Sequence, residues 1–218
     1  MKKKSKYHIY AISGLGLDSE LFLKLNLNFP LHHINWIEPL KNENIQLYAA
    51  RLCKQIKERE NLVLIGLSFG GIMAHEITKL LSVKKLILIS SIKSSIEKPF
   101  LFRFFNKIPL YKFSEKKGRE ITYKIWAPLF GAYTKEEQKY LVLKLRSFSD
   151  YYHQWSVQQI ADWSSGEPNT EFIHIHGSND KIFPIKNIEK PIIIPNGNHA
   201  AIFKFPLEIS NIINQFVY

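Results

Sequence analysis

At 218 residues the chain is comfortable for one domain and cramped for two. Its residues are 45% hydrophobic, 13% aromatic and 22% charged, ordinary globular usage that excludes a disordered tail or a fibre. The formal charge of +11 suggests a nucleic-acid partner, yet it is unevenly placed: residues 93–146 hold 13 Lys/Arg against 5 Asp/Glu, Lys2, Lys3, Lys4 and Lys6 form a second basic group, and the remainder is near neutral.

The basic start resembles the n-region of a signal peptide, but Tyr7–Ser13 is too short and polar for an h-region and no cleavage site follows. No apolar run approaches the roughly 20 residues of a membrane span. Cys53, the single cysteine, excludes an internal disulfide and suits a reducing compartment. The expectation is a soluble, cytoplasmic protein with no transmembrane segment.

In chain order, Tyr7–Ser13 and Ile34–Ile37 read as strands. Ile45–Glu58 is predicted helical from Ile45, Tyr48, Ala49, Leu52 and Ile56. Leu62–Gly66 is a nearly all-apolar run, as in a parallel strand covered on both faces. Helix Phe69–Leu81 and strand Lys85–Ile89 follow. The alternation resumes with strands Phe172–His176 and Pro191–Ile194 and a helix near Pro206–Phe216. Strands separated by helices predict an α/β protein with a doubly wound, mostly parallel sheet of about six strands and helices on both faces. Residues 93–165 break the alternation, with Pro99, Pro109 and Pro128, many aromatics, and a helical pattern over Glu136–Leu145. They read as an insertion, so that 1–218 forms one domain with core 7–92 and 166–218.

Gly66-Leu67-Ser68-Phe69-Gly70-Gly71 lies where a buried strand ends and a helix begins. Elsewhere such a pattern is an ordinary Gly-rich βα turn. In this context it suits a serine raised on a sharp turn, with glycines where side chains would clash. A serine hydroxyl needs a base to take its proton and an acid to orient that base. Asp180 follows strand Phe172–His176, within His176-Gly177-Ser178-Asn179-Asp180, and His199 follows strand Ile192–Ile194. Ser68, Asp180 and His199 thus appear in order at carboxyl ends of strands, where α/β sheets bind ligands.

With its G-x-S-x-G turn, H-G-x-x-D-x-x-x-P segment and G-x-H loop, the chain resembles a small esterase-like member of the α/β-hydrolase superfamily over essentially its whole length. The resemblance implies Ser68 as nucleophile, His199 as general base and then acid, and Asp180 as the group orienting the imidazole. It implies an oxyanion hole from the backbone N–H groups of Phe69 and Leu15, in Ser13-Gly14-Leu15-Gly16. It further implies hydrolysis of a carboxylic ester or thioester through an acyl-enzyme, with no cofactor. The same triad serves amide, acyl-transfer or C–C bond chemistry, and a binding protein can retain the fold without catalysis.

Three departures stand out. The oxyanion loop begins Ser13-Gly14 rather than His-Gly, the chain starts at what is usually the third strand, and the Asp180–His199 gap has little room for a helix. The alternative position for the acid reads Ser90-Ser91. Asp18, Asp150 and Asp162 read as surface or insertion residues, His174 and His176 as structural, and Cys53 as a small buried side chain. His8, His32, His33, His75 and His153 lack metal-ligand spacing, so no metal is expected.

The resemblance makes 93–165 a small helical cap over the serine, inserted before the acid-bearing strand. Phe100–Ile108, Tyr111, Phe113, Tyr123, Trp126, Leu129 and Phe130 suggest an apolar acyl pocket, and Arg103, Lys107, Lys116 and Lys117 a positive rim. Three readings stay open: an anionic acyl carrier such as an acyl-carrier protein or coenzyme A, an anionic lipid surface, or aromatics that only pack and lysines that only face water. A nucleic-acid partner is not expected, since no recognition helix, zinc finger or aromatic-basic strand is present.

Overall fold

The computed structural model describes residues 6–100, 102 and 127–218. Six strands, β1 (His8–Ile12), β2 (His32–Ile34), β3 (Leu62–Leu67), β4 (Val83–Ile89), β5 (Glu171–Gly177) and β6 (Ile192–Ile194), form one sheet in the order β2-β1-β3-β4-β5-β6. Every pairing is parallel. The chain leaves β1 toward β2 and leaves β3 in the other direction, so the order reverses between β1 and β3. In an open α/β sheet that reversal opens a crevice at the carboxyl ends of the two strands.

Alternation along the strands sends side chains to two cores. Tyr10, Ile12, Leu62, Leu64, Leu86 and Leu88 pack on one face with helices α1 (Ile45–Leu52) and α2 (Phe69–Thr78). Ile9, Ala11, Val63, Ile65, Ile87, Ile89 and Ile175 pack on the other, under α5 (Ala201–Lys204) and α6 (Pro206–Val217). All of β3 is buried because both its faces are covered, which explains its uninterrupted apolar run.

Two elements differ from the sequence reading. The second strand is His32–Ile34, with Tyr10 opposite His32 and Ile12 opposite Ile34, not Ile34–Ile37. Beyond Ile34 the backbone turns to side chains: Asn35 N–H donates to Gln55 Oε1 at 2.9 Å and Ile37 N–H to Tyr48 Oη at 3.1 Å. The first helix stops at Leu52, continues as a 3-10 turn over Cys53–Gln55, and is extended at Ile56. There the Tyr10 hydroxyl donates to Glu58 and accepts the Lys57 N–H, drawing the chain out of the helix.

Between β4 and β5 the described residues include α3 (Lys135–Arg146), opened by a Thr134/Glu137 capping box, and α4 (Asp150–Asp162), capped by Ser149. Arg103, Lys107, Lys116, Lys117, Tyr111, Phe113, Tyr123 and Trp126 lie outside the described residues. The segment is fastened at its root. Ser95 donates its N–H to Ser165 O at 2.9 Å, and the buried Lys98 ammonium donates to Ala161 O at 2.5 Å and Trp163 O at 2.7 Å. A cation there meets the negative end of α4 and carbonyls the helix leaves open. Among the described residues no helix is long and apolar enough to cross a membrane.

Lys98→Met removes donors from buried carbonyls, and we expect it to lower the unfolding free energy by about 1–3 kcal/mol in urea titrations. A change within about 0.5 kcal/mol, the range of an ordinary surface substitution, contradicts that role.

Candidate active site

Ser68 follows β3 directly and adopts φ 51°, ψ −120° before α2 begins at Phe69. Such a conformation costs a non-glycine residue about 1–3 kcal/mol and persists only where its surroundings impose it. They do so by crowding. A Cβ on Gly66 would overlap the Gly71 backbone, and one on Gly70 would overlap the Ile12 and Ser13 carbonyl oxygens. Helix α2 therefore starts hard against the ends of β1 and β3, and Ser68 is tipped outward, half-buried rather than sealed. Ser91 Oγ donates to Ser68 O at 2.7 Å, and that carbonyl also accepts Gly71 N–H at 2.9 Å.

His199 Nε2 lies 2.9 Å from Ser68 Oγ, and His199 Nδ1 lies 2.8 Å from Asp180 Oδ2. Asp180 is buried, and its other oxygen accepts Ile182 N–H at 2.8 Å and Phe183 N–H at 2.9 Å. Burial pushes this carboxyl up, but His199, His176 and the backbone donors outweigh it and hold it below the usual range. The loops carrying acid and histidine are laced together: Asn179 N–H donates to Gly197 O at 2.7 Å and Ser178 N–H to Ile194 O at 3.1 Å. Between them lies only the 3-10 turn Ile185–Asn187 and the short β6. The three residues singled out in the sequence thus converge although 131 positions separate Ser68 from His199.

The loop after β1 reaches the same point. Gly14 faces Ser68: a Cβ added to it would come into van der Waals contact with the Ser68 Cβ. Trp36 Nε1 donates to Gly14 O at 3.1 Å, Gly16 N–H donates to Tyr152 Oη at 3.5 Å, and the Trp36 ring stacks on Phe69 with centroids 5.1 Å apart. Among the described residues the amides of Leu15 and Phe69 donate no hydrogen bond. Phe130 and Phe183 present their rings edge-on to His199, at 5.6 and 5.7 Å. Such a site can free a serine oxygen of its proton and present it to an electrophilic carbon.

Sequence reasoning missed part of the surroundings. Ser91, noted only as a position lacking an acid, bonds the serine's own carbonyl. His176, read as structural, lies with Nε2 3.3 Å from Asp180 Oδ2. His174 and His176 are both buried, which lowers His176 and, with the neighbouring His176, takes His174 down to about 3. Among the described residues no three His, Cys, Asp or Glu gather as a metal site requires.

Neither protein-family models nor curated proteins match the sequence. Solved structures do match. An esterase from Exiguobacterium antarcticum superposes with a TM-score of 0.77 at 15% identity, covering 99% of this chain and 93% of its own. A malate-bound thermophilic esterase from Thermogutta terrifontis gives 0.76 at 14% identity, covering 99% and 90%. A bromoperoxidase from Bacillus anthracis gives 0.68 at 13% identity, covering 98% and 92%. At such identities the likeness establishes the fold: the chain has the α/β-hydrolase fold.

Two outcomes are expected. Gly70→Ala has no space for its methyl against the β1 carbonyls and lowers the unfolding free energy by about 1–3 kcal/mol, read by urea unfolding. The unfolded chain protonates His174 below about pH 6.5, whereas the folded chain keeps it neutral down to about 3. The unfolded state then holds more protons, so this stability is full above about pH 6.5 and declines as pH falls below it. Between about pH 4.5 and 6, His174→Gln flattens the dependence by about 1.4 kcal/mol per pH unit. An unchanged slope contradicts it.

Proposed function

We propose that the protein is a cytoplasmic serine hydrolase that cleaves a small-molecule carboxylic ester or thioester through an acyl-enzyme. The observation that carries this reading is the unbroken series Ser68 Oγ, His199, Asp180 at 2.9 and 2.8 Å, with Ser68 held at positive φ at the sheet's switch point. Ser68 Oγ attacks the substrate carbonyl carbon while His199 Nε2 takes its proton. Asp180 holds Nδ1 and balances the imidazolium. The carbonyl oxygen gains the negative charge, and the Leu15 and Phe69 N–H groups stabilise it, each worth about 3–4 kcal/mol in comparable sites. Collapse breaks the bond to the leaving alkoxide or thiolate, which takes the proton from Nε2. Water then attacks the acyl group, His199 removes its proton, and Ser68 leaves with that proton restored.

Helices α3 and α4, with Phe102, Leu129 and Phe130, form the cap in this reading. The edge-on contact of Phe130 with His199 supports it, as does the packing of Phe102 on Phe183 at 5.7 Å. A carrier or lipid partner draws no support: Lys93 pairs with Glu167 and Glu189, Lys98 caps α4, and Lys144 pairs with Asp18 and Glu20. The esterases among the similar structures agree with ester chemistry, while the bromoperoxidase is a reminder that one fold carries several reactions.

Ser68→Ala is expected to reduce turnover of short p-nitrophenyl esters to background while its thermal melt stays close to wild type. A fluorophosphonate probe should label wild type at Ser68 alone. Full turnover in the alanine variant would falsify the mechanism.

A further inference from the structure

Behind the triad, a second set of buried polar groups runs from the acid back to the serine. Asp180 Oδ2 lies 3.3 Å from His176 Nε2, and that nitrogen also lies 2.7 Å from Phe183 O. Two acceptors at one nitrogen require it to carry the hydrogen, which makes His176 Nδ1 an acceptor. Facing it at 3.3 Å is His174 Nε2, itself 3.0 Å from Ser91 O, so His174 carries its hydrogen there too. Ser91 Oγ donates to Ser68 O at 2.7 Å. With the triad contacts the series closes: Ser68, His199, Asp180, His176, His174, Ser91 and Ser68 again. We propose that Ser91, His174 and His176 are positioning residues that fix Asp180 relative to Ser68, so that His199 meets both; this rests on the serine-hydrolase reading above.

The placement explains the need. Ser68 follows β3, Ser91 follows β4, and His174, His176 and Asp180 belong to β5 and its loop. The two groups His199 must bridge thus sit on strands separated by β4, and the histidines and Ser91 tie those strand ends together. Each of the three is at most 2% exposed, and of their side-chain polar atoms all but His174 Nδ1 find a partner within the protein. Because burial keeps both imidazoles neutral, His176 stands beside the carboxylate, its Nε2 hydrogen held by Phe183 O, without cancelling the charge that His199 requires. Around them, Glu97 Oε2 lies 3.9 Å from His174 Nδ1, too far for a hydrogen bond, and its two oxygens accept Lys93 N–H and Glu189 N–H, each at 2.8 Å. Glu97 therefore packs behind the histidines as a partnered carboxylate.

The test compares wild type, His176→Leu, His176→Gln and Ser91→Ala in p-nitrophenyl acetate kinetics and fluorophosphonate labelling, with thermal melts. Displacement of a reacting group by about 1 Å costs on the order of 100-fold. His176→Leu is therefore expected to lower kcat roughly 10- to 100-fold with KM within about twofold. Gln places an N–H where Nε2 stood and restores most of kcat. Ser91→Ala lowers kcat by less, since Ser68 O keeps Gly71 N–H and Ile72 N–H as donors at 2.9 and 3.4 Å. If His176→Leu does not fold, Ser91→Ala decides the matter. Folded variants with wild-type kcat, or a Gln variant as impaired as the Leu variant, overturn the positioning role while Ser68 labelling leaves the hydrolase reading intact. Wild type that never labels at Ser68 overturns both.

Discussion

Where α2 begins there is no space for side chains between the helix and the ends of β1 and β3. Gly66 faces the Gly71 backbone and Gly70 faces the carbonyls of Ile12 and Ser13, so the strand-to-helix turn is compressed and Ser68 takes φ 51°. The conformational cost, about 1–3 kcal/mol, is met by the packing on either side. Strand β3 is buried throughout, and Phe69, Ile72 and Met73 are fully covered. The contact that strains Ser68 also brings the loop after β1 beside it. One constraint sets both the turn at Ser68 and the approach of the loop after β1 to it.

The opposite half of the site obeys a related rule. Gly177 at the end of β5 meets the Gly197 carbonyl, and the loops beyond them exchange backbone hydrogen bonds, so Asp180 and His199 belong to one rigid pair of turns. Asp180 accepts donors at both oxygens and can stay ionised although buried. A carboxylate so held orients the His199 ring with little freedom to exchange partners. The buried imidazoles beside it remain neutral for the same reason that the carboxylate needs so many donors: the surroundings penalise unbalanced charge.

Charge takes on a different meaning in the folded chain. Of the 13 bases in residues 93–146, Lys93 and Lys98 are buried, and Lys144 bridges the insertion to Asp18 and Glu20. Lys98 closes the end of α4, and Lys93 joins the base of the insertion to the segments after α4 and before β6. These lysines anchor the inserted helices to the sheet, so part of the basic excess is internal structure.

Much was legible from the sequence by itself. Apolar runs such as Leu62–Leu67, taken with their alternation with helices, point to a parallel sheet, because crossover helices cover both faces of its strands. The spacing of glycines about Ser68, and the order Ser68, Asp180, His199 after successive strands, reflect local turn chemistry that residues express in series. What depends on contacts across the fold left no such mark. Strand β2 lies two residues early because Gln55 and Tyr48 take the backbone groups of Asn35 and Ile37, and α1 ends early because Tyr10 intercepts Lys57. Ser91 and His174 stand 83 positions apart, yet they share a hydrogen bond. No periodicity records such a pairing: it exists only where β4 and β5 lie side by side and burial makes an unpaired polar group costly.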